Sequence, residues 1–127
     1  MTDSGSSSMR PTVSVVMSLY NSQKYLREAI ESVLCQTLSD FEFIIIDDGS
    51  KDDSADIVRS YNDVRIRLIS QENLGLAAAL NRGIQLAKSK LIARMDPDDI
   101  CFPDRLLKQF EYLQQKHIQD HNGIRVP

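Results

Sequence analysis

No apolar stretch in these 127 residues approaches the length needed to cross a membrane, and the amino terminus lacks the basic start and apolar middle of a secretory signal. The chain therefore reads as cytoplasmic, with the cytoplasmic face of a membrane as its alternative station. Basic residues are not in excess either: 15 Lys and Arg against 18 Asp and Glu give a net charge of −3, which offers no support for nucleic-acid binding through a basic surface. Cysteine is scarce, and Cys35 and Cys101 lack metal-ligand spacing, so both read as reduced thiols. His117 and His121 stand at i, i+4, but no metalloprotease glutamate accompanies them. With 42% hydrophobic and 26% charged residues, the composition is that of one soluble domain, or part of one, able to form a core.

What is present alternates between two periods. Residues 1–10 are polar, rich in Ser and aperiodic, and read as a disordered leader or a remnant of expression. Thr12 to Ser18 is a β-branched strand pattern, and Lys24 to Cys35 has apolar residues at helical spacing. Phe41 to Ile46, with its unbroken Ile44-Ile45-Ile46, predicts a strand buried on both faces. Ser50 and Asp53 have capping-box-like spacing for a helix running to about Tyr61. Val64 to Ser70 predicts a third strand at the sheet edge, where Arg65 and Arg67 would be solvated. Leu76 to Ala87 predicts an alanine-rich helix with Leu76, Leu80, Ile84 and Ala87 on one side, whose small residues allow close packing on the sheet; Leu91 to Met95 predicts a fourth strand. A helix from Pro103 to about Lys116 follows, with Leu106, Leu107, Phe110 and Leu113 inward and Arg105 and Lys108 on a solvated face. The domain is thus placed at 11–116, with an irregular tail over 117–127.

Strands separated by helices imply right-handed βαβ crossovers, a mainly parallel sheet and helices on both faces: a Rossmann-like α/β architecture. Ligands bind such sheets at the strands' carboxyl ends, near the point where strand order reverses. The loops carrying Ser18 to Asn21, Asp47 to Ser50 and Asp96 to Asp99 should therefore meet. The last of these holds three carboxylates within four residues, Asp96, Asp98 and Asp99. At separations of about 4 to 5 Å and a dielectric near 20 they repel by about 3 to 4 kcal/mol per pair, so they splay into water or share a cation. A hard divalent ion such as Mg²⁺ or Mn²⁺ suits oxygen ligands and leaves positions for substrate phosphates. The bland readings are a solvated acidic turn, an ordinary strand-exit loop at Ser18 to Asn21, and a turn with a Ser50 helix cap at Asp47 to Ser50.

Four motifs in order tip the balance. Ser14-Val15-Val16-Met17-Ser18-Leu19-Tyr20-Asn21, Asp47-Asp48-Gly49-Ser50, Asn73-Leu74-Gly75 with Asn81-Arg82-Gly83-Ile84, and Met95-Asp96-Pro97-Asp98-Asp99 with Pro103-Asp104-Arg105-Leu106 resemble glycosyltransferase family 2. That family consists of inverting enzymes with the A-type (GT-A) nucleotide-diphospho-sugar transferase fold. The resemblance covers nearly all of Pro11 to Lys116. It implies that Ser18, Leu19, Tyr20 and Asn21 form the wall for base and ribose. Asp48 would accept a hydrogen bond from the base, which suits uracil, and Gly75 would let backbone approach the nucleotide sugar. Asp96 and Asp98 match an Asp-x-Asp element, Asp96 near ribose and metal and Asp98 as the direct ligand of Mn²⁺ or Mg²⁺. One departure is Leu80, which stands where many relatives have Arg and leaves the cationic contact to the donor unassigned.

The implied function is donor binding for inverting transfer of a sugar, with a UDP-sugar best suited, to a glycan or other acceptor hydroxyl in polysaccharide or cell-surface glycan synthesis. In the family the general base lies downstream of the Asp-x-Asp strand, so it is expected beyond Pro127, and the chain is expected to be a truncated, donor-binding part. Two alternatives stand beside this: a non-catalytic nucleotide-binding module, and a phosphotransferase of the haloacid dehalogenase type, which also ends a strand in Asp-x-Asp. An unpaired sheet edge further raises the expectation of homodimerisation.

Overall fold

The computed structural model describes residues 10–121, with side chains through Lys116. The expectations for residues 1–9 and 122–127 fall outside the described residues. Eight elements alternate: β1 (Val13–Leu19), α1 (Gln23–Leu34), β2 (Phe41–Asp47), α2 (Ser54–Arg59), β3 (Ile66–Ser70), α3 (Leu76–Leu86), β4 (Ile92–Met95) and α4 (Arg105–His121). The sheet has the order β3-β2-β1-β4, and every pairing is parallel. The chain steps outward from β1 to β2 to β3, then returns to lay β4 on the free flank of β1. Strand order thus reverses between β1 and β4.

β1 and β2 are buried along their whole length, as their β-branched runs require, whereas β3 is only partly covered and lies at the edge. Alternation along the strands divides the core in two. Val13, Val15, Met17 and Leu19 join Phe41, Phe43 and Ile45 under α1, together with Leu26, Ile30, Met95 and Leu106. On the opposite face Ile44 and Ile46 pack against Ala79 of α3. Helices therefore cover both faces.

Several local expectations change. Helix α3 turns its small residues, Ala79 and Gly83, to the sheet as expected, but Leu76 and Ile84 are exposed on its flank. The reason is proximity: a methyl group on Gly83 would sit 2.5 Å from Val16 Cγ1, so only a glycine lets the helix lie this close. Helix α2 begins at Ser54 rather than near Ser50, since Asp52 accepts from the Ser54 amide at 2.9 Å and Ser50 is engaged elsewhere. Helix α4 begins at Arg105 and runs to His121, five residues past the expected end, and its Leu113 is exposed. Nor are the arginines of the third strand region merely solvated. Arg65 lies 4.3 Å from the Phe41 ring and donates to Asp63, and Arg67 pairs with Glu42 at 3.4 Å. Glu42 is buried at the sheet's amino end, accepting from Ser14 Oγ and the Lys88 amide at 2.6 Å each.

Gly83→Ala should lower stability by about 1–3 kcal/mol through overpacking against stiff Val16, read as a lower denaturant midpoint. Adding Val16→Ala should recover part of that loss. An unchanged midpoint in the single variant would mean that α3 is not seated this closely.

Candidate functional site

The cleft lies at the carboxyl ends of the strands, at the reversal point. Strand parity decides what enters it. Leu19 pairs with Asp47, and Met17 with Met95, so the ends of β1, β2 and β4 are nearly level. Ser18, Asp48, Arg94 and Asp96 fall on the α3 side and line a cleft of about 590 Å³ together with Tyr20, Asn21, Gly75 and Asp98. Leu19 has the opposite parity. It is fully buried in the α1-side core and does not line the cleft, so of the predicted wall only Ser18, Tyr20 and Asn21 do.

Two exit loops are laced together at one end of this cleft. Asn21 takes a left-handed backbone, φ 51°, which places its Oδ1 to accept from the Lys51 amide at 2.8 Å. Its own amide donates to Ser50 Oγ at 2.9 Å, and the Ser22 amide donates to Ser54 Oγ at 2.8 Å. Ser50 is thus a tie between loops rather than the expected helix cap.

Asp48 is the buried hub. Oδ1 accepts from Gln71 Nε2 and the Leu74 amide, both at 2.8 Å; Oδ2 accepts from the Gly75 amide at 2.9 Å and Asn73 Nδ2 at 3.2 Å. These four donors fill the acceptor capacity of one carboxylate. Burial alone would push its pKa up, but the hydrogen bonds from Gln71, Leu74 and Gly75 outweigh it and hold the carboxyl below its ordinary value. Gln71 is itself oriented by Arg82 Nη1, 3.2 Å from its Oε1. What the hub fixes is the turn into α3, where Gly75 has φ 103°, a conformation that side chains resist.

At the other end, the Asp99 amide donates to the Asp96 carbonyl at 3.1 Å and closes a turn that brings one carboxylate oxygen from each of Asp96, Asp98 and Asp99 within 4.8 Å of the others. Arg94 Nη2 lies 3.3 Å from Asp96 Oδ1. Three carboxylates against one guanidinium leave negative charge over, and hard oxygen donors this close fit Mg²⁺ or Mn²⁺. Asp99 thereby joins the predicted pair, Asp96 and Asp98.

The acidic turn is held from below by residues that the motifs did not single out. Gln36 is buried at the end of α1; its Nε2 donates to the Phe102 carbonyl at 2.6 Å and its Oε1 accepts from the Leu106 amide at 3.0 Å. Ser32 Oγ accepts from the Cys101 amide at 2.9 Å, and the Thr37 amide donates to the Pro103 carbonyl at 2.7 Å. Arg105, expected on a solvated face, donates instead to the Arg94 carbonyl and lies 3.1 Å from Met95 Sδ. Burial pushes the Cys101 thiol up, which suits a packing residue rather than a nucleophile.

The parallel sheet with an acidic cleft at its reversal point matches the nucleotide-diphospho-sugar transferase fold, as the structural likenesses below show. The sequence profile described as Glycosyl transferase family 2 matches residues 14–121, and the chain belongs to that family. This membership removes the phosphotransferase alternative. The chain is 46% identical over 110 residues to an uncharacterised glycosyltransferase, MJ1057, of Methanocaldococcus jannaschii, covering 83% of this chain and 38% of the relative. It is 40% identical over 111 residues to glycosyltransferase GlyG of Streptococcus pneumoniae, covering 85% and 37%. It therefore spans well under half the length of these relatives. In structure it is similar to S. aureus TarS 1-349 in complex with UDP-GlcNAc, with TM-score 0.78 and 26% identity over 86% of this chain and 32% of that one. It is also similar to mannosyltransferase PcManGT of Pyrobaculum calidifontis in complex with GDP-Man and Mn²⁺, with TM-score 0.67 and 26% identity over 76% and 30%. No helix among the described residues is long and apolar enough to cross a membrane.

Asp48→Asn should cost about 1–3 kcal/mol at neutral pH, because an amide turned toward these donors leaves some of them unsatisfied. Since the native carboxyl sits below its unfolded value, its contribution is present above about pH 4 and lost as pH falls through the native value. The denaturant midpoint of the wild type should therefore drop on acidification below about pH 4, and that of the variant more shallowly, with Asp52 and Asp63, also lowered, supplying the remaining slope. Parallel curves would remove Asp48 from this role.

Proposed function

We propose that this chain is the donor-binding part of a family 2 glycosyltransferase. It takes a nucleotide-diphospho-sugar, with a uridine nucleotide best suited, together with Mn²⁺ or Mg²⁺. The observation carrying this reading is that Ser18, Asp48, Gly75, Asp96 and Asp98 line one cleft, although up to 80 residues separate them. The likeness to TarS, in complex with UDP-GlcNAc, supports the uridine nucleotide, and the likeness to PcManGT, in complex with GDP-Man and Mn²⁺, supports a nucleotide-sugar donor with a cation.

Base and ribose lie along Ser18, Tyr20 and Asn21. The base N–H is accepted by Asp48 Oδ2, replacing the Asn73 amide, whose 3.2 Å contact is the longest of the four. Gly75, lacking a side chain and with open space around its Cβ position, admits the sugar nucleotide close to the backbone at the start of α3. Asp96 and Asp98 hold the cation, with Asp99 beside them. When bound, such an ion stabilises the negative charge that develops on a departing diphosphate.

Inverting transfer also needs a general base within hydrogen-bond reach of an acceptor hydroxyl. We place it in the part of the relatives' length that this chain does not cover. The acceptor is a glycan or other hydroxyl compound of polysaccharide or cell-surface glycan synthesis.

Calorimetric titration of the chain with uridine diphosphate and Mn²⁺ should give heat that vanishes in chelator. Asp98→Asn should weaken metal-dependent binding by at least about tenfold, the scale of losing one charge-assisted ligand. Binding that is indifferent to chelator and to this variant would overturn the cation assignment.

A further inference from the structure

We propose that Arg94 is the phosphate-binding group of this cleft: its guanidinium leaves Asp96 when a cation loads the acidic turn and closes on the diphosphate of the donor. The inference rests on the donor-site reading and adds to it the one residue whose charge suits the diphosphate next to the acidic turn.

Charge accounting leads to it. A diphosphate brings more negative charge into a cleft that already holds Asp48, Asp96 and Asp98, and a single dication does not balance that sum. Among the described residues, the cationic side chains lining the cleft are Lys24 and Arg94. Lys24 stands at the start of α1 with its Nζ 5.2 Å from the Tyr25 ring, on the loop side assigned to the base. Arg94 stands on β4, two residues before Asp96 and on the same face of the strand.

The neighbouring guanidiniums are committed elsewhere. Arg82 donates to Gln71 in the Asp48 hub, and Arg105 donates to the carbonyl of Arg94 itself. Arg94 has one long contact, 3.3 Å to Asp96, and its side chain is 55% exposed, so little holds it in that position. An exposed pair of this kind contributes little on its own. A dication drawing on Asp96 competes for the same oxygen and frees the guanidinium. The planar fork of Arg then matches phosphate oxygens in a bidentate manner that a lysine ammonium does not reproduce.

A second observation comes from the groove next to the cleft, which Leu80 of α3 and Arg94 line together. Position 80 is apolar, and the guanidinium of Arg94 rises from the facing strand. The two positions share one groove, so a positive charge could be supplied from either side of it.

The test is binding of uridine diphosphate and of uridine, each with Mn²⁺, to the 127-residue chain, with thermal melting to confirm that the variants fold. Arg94→Leu should weaken uridine diphosphate binding by about tenfold or more and leave uridine within about twofold, since only the former carries the phosphates. Arg94→Lys should recover part of the loss, and Leu80→Arg in the Arg94→Leu background should recover more. Unchanged uridine diphosphate binding in Arg94→Leu overturns the proposal and leaves Arg94 as a partner of Asp96 alone. Equal weakening of both ligands also overturns it, because the residue would then act through the shape of the cleft. A wild-type chain that binds no uridine diphosphate with Mn²⁺ overturns the donor-site reading itself, and this inference with it.

Discussion

Parallel pairing holds the carboxyl ends of β1, β2 and β4 level, and the cleft depends on that register. A pleated strand sends neighbouring side chains to opposite faces, so a slip of one residue would move every lining group to the wrong side. In the observed register Ser18, Arg94 and Asp96 fall on the face of α3, where Asp48 also opens, while Leu19 and Met95 go into the larger core. The hydrophobic demand of the core and the chemical demand of the cleft are thus met by alternate residues of the same strands. The core enforces the register, and the cleft inherits it.

The second constraint is the burial of Asp48. A carboxylate removed from water is costly unless donors replace the solvent, and here two backbone amides and two side-chain amides do so. In return the segment Asn73 to Gly75, which has no regular structure of its own, is fixed against the end of β2. Gly49 belongs to the same arrangement: its φ is 82°, and a Cβ there would meet the Asn73 backbone nitrogen at 2.9 Å. The buried charge therefore shapes the backbone around the cleft before any ligand arrives. That is why a residue proposed for base recognition also bears on stability.

Strand and helix alternation, the buried pair β1 and β2, the edge position of β3 and the convergence of three loops were legible in the sequence because each rests on local periodicity. Long-range polar contacts were not. Gln36 looks like an unremarkable residue after a helix, yet its partners Cys101, Phe102 and Leu106 lie 65 or more residues away, and no local pattern encodes that. Arg65 and Arg67 misread for the same reason, since the ring of Phe41 and the carboxylate of Glu42 come from another strand. Leu19 was grouped with its loop neighbours by motif, although strand alternation from Val15 and Met17 already assigned it to the core. In α3 the small residues pointed to close packing on the sheet, as Ala79 and Gly83 show, whereas the exposure of Leu76 and Ile84 was not legible from apolar spacing alone. The end of α4 was missed because polar residues after Lys116 conceal a continuing helix from a purely hydrophobic pattern.

The two ends of the cleft solve opposite electrostatic problems. Asp48 is buried and fully bonded, so its charge is fixed in place and its surroundings are rigid. Asp98 and Asp99 are exposed, and Asp96 is half-buried with one weak partner, so solvent screens their repulsion and the turn costs little to maintain. A cation that displaces this water meets carboxylates already gathered by the turn and by the Gln36 and Arg105 anchors, and less ordering remains to be done on binding. Leaving the turn exposed while anchoring it from beneath keeps the three carboxylates both hydrated and in place.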